Sequence, residues 1–144
     1  MRPGDVWHSL LIAYGNLSTQ FSTALENAYR VSLAEFEALL WIDRAGGTPI
    51  QAIDLVDRLL LTQSGVTRLL GRLESAGFID RVPCSYDGRR KDISLTEHGR
   101  ETFAAMKELH AAHIESLITA RLTDRQMDEL TELLMLLAPK ERLV

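Results

Sequence analysis

Five polar side chains lie on one face of an amphipathic segment that spans residues 63 to about 76. They can all form hydrogen bonds, and they are Gln63, Ser64, Thr67, Arg68 and Arg72. The opposite face is apolar at helical spacing, which predicts a helix packed against a core. Gln and Arg can bind the edges of bases, and Arg, Ser and Thr can bind phosphate oxygens. Thr62 precedes the segment as a predicted N-cap, where free N–H groups also suit a phosphate oxygen.

A cluster of cations lies at the predicted tip of a β-hairpin that follows this helix. Residues 78–82 and 91–95 are predicted strands, and Asp87 stands in the turn between them. The cations at the tip are Arg89, Arg90 and Lys91. A protruding tip adds little to a core, so its charge is available for a minor groove or its phosphates. Asp87 can pair with one of the neighbouring arginines and hold it in place.

The charge is unevenly distributed along the chain. The 144 residues carry a net charge of −4, yet residues 62–91 hold six basic and three acidic side chains. Contact with phosphates depends on the local field rather than on the total charge. The sequence has no glycine-rich phosphate loop, zinc-protease helix or nucleophile elbow, and those enzyme classes are therefore excluded. We expect a protein that is not an enzyme and needs no cofactor.

The totals predict one domain of an ordinary globular kind. A chain of 144 residues can bury a core without disulfides, and its single cysteine excludes an internal disulfide. No stretch approaches the roughly 20 apolar residues of a membrane span, and the N-terminus lacks the pattern of a signal peptide. The sequence therefore predicts a cytoplasmic protein that has no membrane partner.

Helical periodicity predicts six helices around the hairpin. The first covers about residues 5–30, and the second begins at the cap Ser32 and stops near residue 46. Short helices follow at about 51–59 and 63–76, with a tight turn between them. Thr96 caps a long helix that reaches about residue 121, and a last helix begins after Thr123 and ends before Pro139. Residues 48–50 are too short for more than an edge strand.

The run L-T-Q-S-G-V-T-R-L-L-G-R-L-E-S-A-G-F-I-D-R, followed by D-G-R-R and I-S-L-T-E-H-G, resembles the MarR family of bacterial winged-helix regulators. The spacing of D-x-R and L-T-x-x-G is specific to that family. The resemblance implies a mainly α fold with a small β-hairpin wing, in a single domain of residues 1–144. The winged helix-turn-helix core would cover about 32–95, and dimerisation helices about 5–30 and 96–138. It further implies a homodimeric repressor on a pseudo-palindromic operator in double-stranded DNA.

The resemblance also assigns functions to residues by position. The expected DNA contacts are Thr62, Gln63, Ser64, Thr67, Arg68, Arg72, Arg89, Arg90 and Lys91. Asp87 and Arg81 would preorganise the wing, with Arg81 at its base. The chain departs from the family pattern at Leu60, where a small or polar residue is more usual. Asp54 and Asp57 also make the preceding helix acidic on a side that could face phosphates.

Members of the family often bind small phenolic or other aromatic effectors between the dimer helices and the winged core. The aromatic candidates for such a pocket are Trp7, Tyr14, Phe21, Tyr29 and Trp41. Trp41 is the preferred candidate because it lies one position off the apolar face of its helix. The alternative for each of these rings is a place in the core, since aromatic stripes at helical spacing usually pack.

Three further interpretations remain open at the level of sequence. His110 and His113 lie on one helical stripe and could bind zinc if other ligands joined them, which would make the regulator metal-responsive. Cys84 lies beside the basic tip, where oxidation would make the regulator redox-responsive. The chain could also be a dimeric partner-binding protein whose winged core no longer binds DNA, since its net charge is negative.

Overall fold

A computed structural model describes residues 2–138 of the chain. Within that range, six α-helices surround one antiparallel hairpin of two strands. The helices are α1 (Pro3–Tyr29), α2 (Leu33–Arg44), α3 (Ala52–Leu59), α4 (Gln63–Ser75), α5 (Glu97–Ile114) and α6 (Asp124–Met135). The strands are β1 (Ile79–Pro83) and β2 (Lys91–Leu95). The predicted fold class, mainly α with a small β-hairpin wing, is confirmed.

Hydroxyl side chains begin four of these helices at the predicted places. Each accepts a hydrogen bond from the backbone N–H three residues further on, and they are Ser32, Thr62, Thr96 and Thr123. Such a cap satisfies a donor that the first helical turn leaves free, and its loss typically costs about 1 kcal/mol. The Thr62 cap therefore fixes where α4 begins, which sets the position of its polar face.

The core lies where α4 packs against α2, α3 and the hairpin. The apolar face of α4 is fully buried, with its four members between 0% and 1% exposed: Val66, Leu69, Leu70 and Leu73. Burial of each such side chain stabilises the fold by roughly 1.5–3 kcal/mol. Ile50 forms a single antiparallel bridge with Ile93, which is all that remains of the predicted edge strand at 48–50.

The hairpin presents its tip away from the core. Its register pairs Ile79 with Leu95 at the base and Pro83 with Lys91 at the far end. Beyond that pair, the N–H of Cys84 donates to the carbonyl of Arg90 at 2.8 Å. The tip is thus held as a defined loop, and its side chains face solvent.

One predicted bound is wrong. The helix predicted to run from Thr96 to about residue 121 is α-helical only to Ile114 and continues as a π-helical segment, Glu115–Thr119. The N–H of Ala120 donates to the carbonyl of Glu115, five residues back, at 2.8 Å. Apolar periodicity over one turn does not distinguish the two geometries. The last helix, α6, ends at Met135 and thus before Pro139, as predicted.

Two helices far apart in sequence carry apolar side chains that the rest of the chain leaves uncovered. On α1, Trp7 is 63% and Leu11 is 48% exposed, and Leu133 on α6 is 61% exposed. Stripes of this extent on a folded chain mark a surface that packs against something else. Between residues 2 and 138, no helix combines the length and the apolar character needed to cross a bilayer.

Leu60 in the turn between α3 and α4 adopts a left-handed conformation, with φ 56° and ψ 32°, and its side chain is 74% exposed. A residue with a Cβ is destabilised by about 1 kcal/mol in this region. Asparagine is destabilised less, because its short polar side chain can hydrogen-bond the local backbone. We therefore expect Leu60→Asn to raise the free energy of unfolding by roughly 0.5–1 kcal/mol, measured by urea denaturation. Leu60→Ala has the Cβ of asparagine without its polar group and is the control. Equal stability of both variants would show that the turn is unstrained.

Candidate nucleic-acid interface

The polar face of α4 is presented to solvent at its N-terminal half. Gln63, Ser64, Thr67 and Arg68 are all exposed, while Val66 and Leu69 on the same helix are buried. The Thr67 hydroxyl donates to the carbonyl of Gln63 at 3.0 Å, which leaves its lone pairs available. Thr62 is occupied as the cap, accepting from the N–H of Gly65 at 3.1 Å. The helix therefore offers amide, hydroxyl and guanidinium groups at one end.

Asp87 organises the hairpin tip through two contacts. Its Oδ1 accepts the backbone N–H of Arg89 at 3.0 Å, and its Oδ2 lies 3.9 Å from Nε of Arg90. Arg90 also donates from Nη1 to Oε1 of Gln51, at the start of α3, at 3.4 Å. Of the two arginines that could pair with Asp87, the structure selects Arg90. Over residues 2–138 neither Arg89 nor Lys91 has a carboxylate within ion-pair distance.

The start of α4 and the hairpin tip border the same groove. The groove has a volume of about 410 Å³. Its polar and charged lining residues are Gln51, Gln63, Arg81, Arg89, Arg90 and Lys91. Gln63 of α4 thus lies beside the cations of the hairpin. The other predicted contacts of α4 do not line this groove, and they are Ser64, Thr67, Arg68 and Arg72. Such a surface can attract phosphates and hydrogen-bond base edges together.

Arg81 acts at the base of the hairpin rather than at its tip. Its Nε and Nη2 donate to the two carboxylate oxygens of Glu74 on α4, at 3.1 and 3.0 Å. This hydrogen bonding, more than the charge alone, holds the pKa of Glu74 below its usual value. A bidentate pair fixes direction as well as distance, so Arg81 sets the angle between β1 and α4.

Arg72 forms an ion pair with α2 that the sequence pattern does not indicate. Its Nε donates at 3.2 Å to Oε1 of Glu35, whose side chain is only 12% exposed. The same oxygen accepts the hydroxyl of Ser32 at 3.2 Å. The side chain of Arg72 is 58% exposed, so its Nη groups can still reach a phosphate. No local pattern signals a pair that is 37 residues apart in sequence.

The aromatic candidates do not form one pocket. Tyr14 and Phe21 line a cleft between α1, α2 and α5, whereas Trp7, Tyr29 and Trp41 lie outside it. Trp7 is exposed near the start of α1, and Tyr29 packs against the core. Trp41, the preferred candidate, therefore does not line that cleft. The guanidinium carbons of Arg44 and Arg58 lie 5.4 and 4.5 Å from the centre of its ring, in a separate cleft.

The two histidines have different environments, which weakens the zinc hypothesis. His110 lies between the rings of Phe21 and Phe36, with centroids 4.8 and 4.7 Å away. Burial, and then the charge of His113, lower the pKa of His110. His113 instead bonds through Nδ1 to the carbonyl of Leu109 at 2.9 Å. In the described part of the chain, no group of three His, Cys, Asp or Glu residues is arranged to hold a metal ion.

Comparisons with known proteins agree with this geometry. A sequence model of the MarR family matches residues 31–90. An uncharacterised HTH-type transcriptional regulator of Bacillus cereus is 31% identical over 124 residues, which are 86% of this chain and 81% of that protein.

Solved structures share the fold at lower identity. Sco3205, a MarR family transcriptional regulator from Streptomyces coelicolor in complex with DNA, has a TM-score of 0.85 at 22% identity and covers 94% of this chain and 88% of its own. The transcriptional repressor CouR, bound to a 23-mer DNA duplex, has a TM-score of 0.82 at 23% identity, and the match covers 96% of this chain and 99% of that one. Because the Bacillus relative spans most of both chains and the family model covers the helix-turn-helix, this chain belongs to the MarR family of helix-turn-helix transcriptional regulators.

Proposed function

We propose that this protein binds a pseudo-palindromic operator in double-stranded DNA as a homodimer and represses transcription there. The observation that carries the proposal is the shared groove, in which the start of α4 and the basic hairpin tip meet. Sco3205 and CouR were both solved with DNA, and CouR is a repressor. With DNA as the partner, we assign the protein to the cytoplasm.

The two elements of the interface have different tasks in this proposal. The N-terminal half of α4 enters the major groove, where Gln63 and Arg68 can hydrogen-bond base edges. Ser64 and Thr67 reach either bases or phosphates. The free N–H groups at the start of α4, next to Thr62, bind a phosphate oxygen. The Nη groups of Arg72 also bind phosphate. At the wing, Arg89, Arg90 and Lys91 bind the minor groove or the backbone.

Dimerisation follows from the uncovered apolar faces of α1 and α6. A second copy can bury these faces around a two-fold axis, since one patch then meets its own equivalent. A two-fold axis in the protein requires two related half-sites in the DNA, which is why we propose a pseudo-palindrome. A dimer also doubles the number of basic tips that face one duplex.

We further propose that a small aromatic effector regulates the dimer from the cleft that contains Tyr14 and Phe21. The cleft lies between α1 and α5, in the proposed dimerisation region, and α2 of the winged core. An effector changes DNA affinity only if it binds one separation of the two recognition helices better than another. A ligand that contacts both parts of the molecule can bind one such separation more tightly than another.

Hydroxyl-radical footprinting on the DNA that flanks the coding region tests this assignment. We expect two protected segments whose centres are about 10 base pairs, or one helical turn, apart. Analytical ultracentrifugation of the same complex should give two chains per duplex. Protection of a single segment by one chain would contradict the dimeric operator complex. Absence of protection at every flanking fragment would favour a winged core that binds another protein.

A further inference from the structure

The cleft between α1, α2 and α5 combines aromatic walls with a few polar groups. Its volume is about 260 Å³. Rings of three residues contribute to the wall: Tyr14, Phe21 and Phe36. The polar lining residues are Ser18, Glu37 and His110. Ligand pockets for larger molecules usually exceed 300 Å³, so this cleft suits a single substituted ring.

Glu37 supplies the only formal charge among the residues that line the cleft. It lies at the rim, and within residues 2–138 its carboxylate has neither a hydrogen bond nor an ion pair. Nearby protein atoms remove part of its hydration, which raises its pKa. An acid in this state is stabilised by a cation that replaces the lost water.

The second titratable side chain of the cleft does not oppose that charge. Burial against Phe21 and Phe36 lowers the pKa of His110, which keeps its imidazole neutral at pH 7. Ser18, which α1 contributes, carries no formal charge. Aromatic faces also attract cations and give no support to anions. The formal charge among the residues that line the cleft is therefore that of Glu37 alone, and it is negative.

We propose that this cleft binds a small aromatic cation, with its ring among Tyr14, Phe21 and Phe36 and its ammonium group on Glu37. The inference rests on the ligand-responsive regulator proposed above and names the chemical class of its effector. An aromatic carboxylate of the same size would place a second anion beside Glu37, and like charges at short range repel. The cleft thus discriminates by charge among molecules that carry the same ring.

The position of Glu37 connects the cleft to the DNA-binding helix. Phe36 and Glu37 directly follow Glu35, which holds Arg72 of α4. A ligand that prefers one placement of this segment of α2 therefore biases the placement of α4. We expect a ligand in the cleft to change the affinity for DNA. The selectivity for the charge of the ligand does not depend on DNA binding.

Isothermal titration calorimetry of the full chain with three probes tests the charge selectivity. Tyramine is the cation, 4-ethylphenol the neutral analogue and 4-hydroxyphenylacetate the anion, and all three share the phenol ring. An ion pair at a solvent-exposed rim contributes up to about 1 kcal/mol, which corresponds to roughly fivefold in affinity. We expect tyramine to bind about fivefold more tightly than 4-ethylphenol, and 4-hydroxyphenylacetate to bind most weakly.

Two variants locate the effect. Glu37→Gln should remove the preference for tyramine and leave the affinity for 4-ethylphenol unchanged. Glu108→Gln, which removes an equal charge from an exposed position of α5, should keep the preference. Equal or tighter binding of the anion, a preference that survives Glu37→Gln, or no binding of any probe would overturn the proposal. DNA binding by the unliganded protein is measured separately, so failure of the proposed operator function remains distinguishable.

Discussion

We expect Gly99→Ala to lower the free energy of unfolding by more than about 3 kcal/mol, the largest effect of alanine at any of the nine glycines. A Cβ at this position would lie 1.9 Å from the carbonyl oxygen and 2.7 Å from the carbonyl carbon of Phe78. That oxygen already accepts the N–H of Thr96 at 3.0 Å. The added carbon meets backbone rather than a flexible side chain, so α5 must move away from the hairpin.

Thermal unfolding measures this effect, with an expected loss in Tm on the order of 10 °C. Gly71→Ala is the matched control, because nothing lies within 4 Å of a Cβ built at Gly71 in α4. The control should be stabilised by up to about 1 kcal/mol through higher helix propensity. A Gly99→Ala variant as stable as the parent would mean that α5 does not pack on the hairpin base as described.

We expect the combined variant Arg68→Ala, Arg89→Ala to lose on the order of thirtyfold or more in operator affinity. Each arginine is exposed on the proposed interface, one on α4 and one on the hairpin tip. Removal of an arginine from a base or phosphate contact costs about 1–3 kcal/mol. Because the two residues lie on separate elements, the losses should add to about 2 kcal/mol or more.

The salt dependence separates the two kinds of contact. Removal of an arginine that binds a phosphate reduces the steepness of log K against log salt by about 0.9 for each chain, or about 1.8 for the proposed dimer. Removal of an arginine that contacts a base instead relaxes specificity at one position of each half-site. Arg125→Ala removes an equal charge from α6, where Arg125 pairs with Glu129 at 2.8 Å, and serves as the control. Unchanged affinity in the double variant would show that DNA binds elsewhere.

Local features of the fold could be predicted because their causes are local. Thr62 and Thr96 were identifiable as caps because a hydroxyl before an apolar helical pattern satisfies free N–H groups. The strand at 91–95 agrees with β2 because it follows turn residues and precedes a cap. The order of the elements and the family motif predicted the fold, which places the basic hairpin tip beside the start of α4.

Contacts between distant segments could not be predicted in the same way. The pair of Arg72 and Glu35 depends on how α4 crosses α2, and periodicity does not specify that crossing. Trp41 was assigned to the effector pocket, but its contact with Arg58 depends on the packing of α2 on α3. Nothing in the sequence distinguishes Glu37, because acidic residues are common on amphipathic helices. Its place in the cleft depends on neighbours that only the fold brings together.

The glycine of the motif L-T-x-x-G shows the same limit. Gly99 could be recognised as part of a family pattern, but not as a site of close approach. A glycine is required at this position because the backbone of Phe78, 21 positions earlier, lies against the first turn of α5. The Thr96 hydroxyl, which caps α5, also donates to the carbonyl of Gly77 beside it. The motif therefore joins the hairpin base to the proposed dimerisation helix.

Fluorescence anisotropy with the DNA that flanks the coding region, titrated across salt concentrations against a scrambled duplex, tests the central claim most directly. We expect tighter binding to the flanking DNA and an affinity that falls steeply with salt, since several arginines and lysines displace counterions from phosphates. Equal and weak binding to both duplexes, extended to fragments of the whole genome, would contradict the claim that α4 and the hairpin tip form a sequence-specific DNA interface.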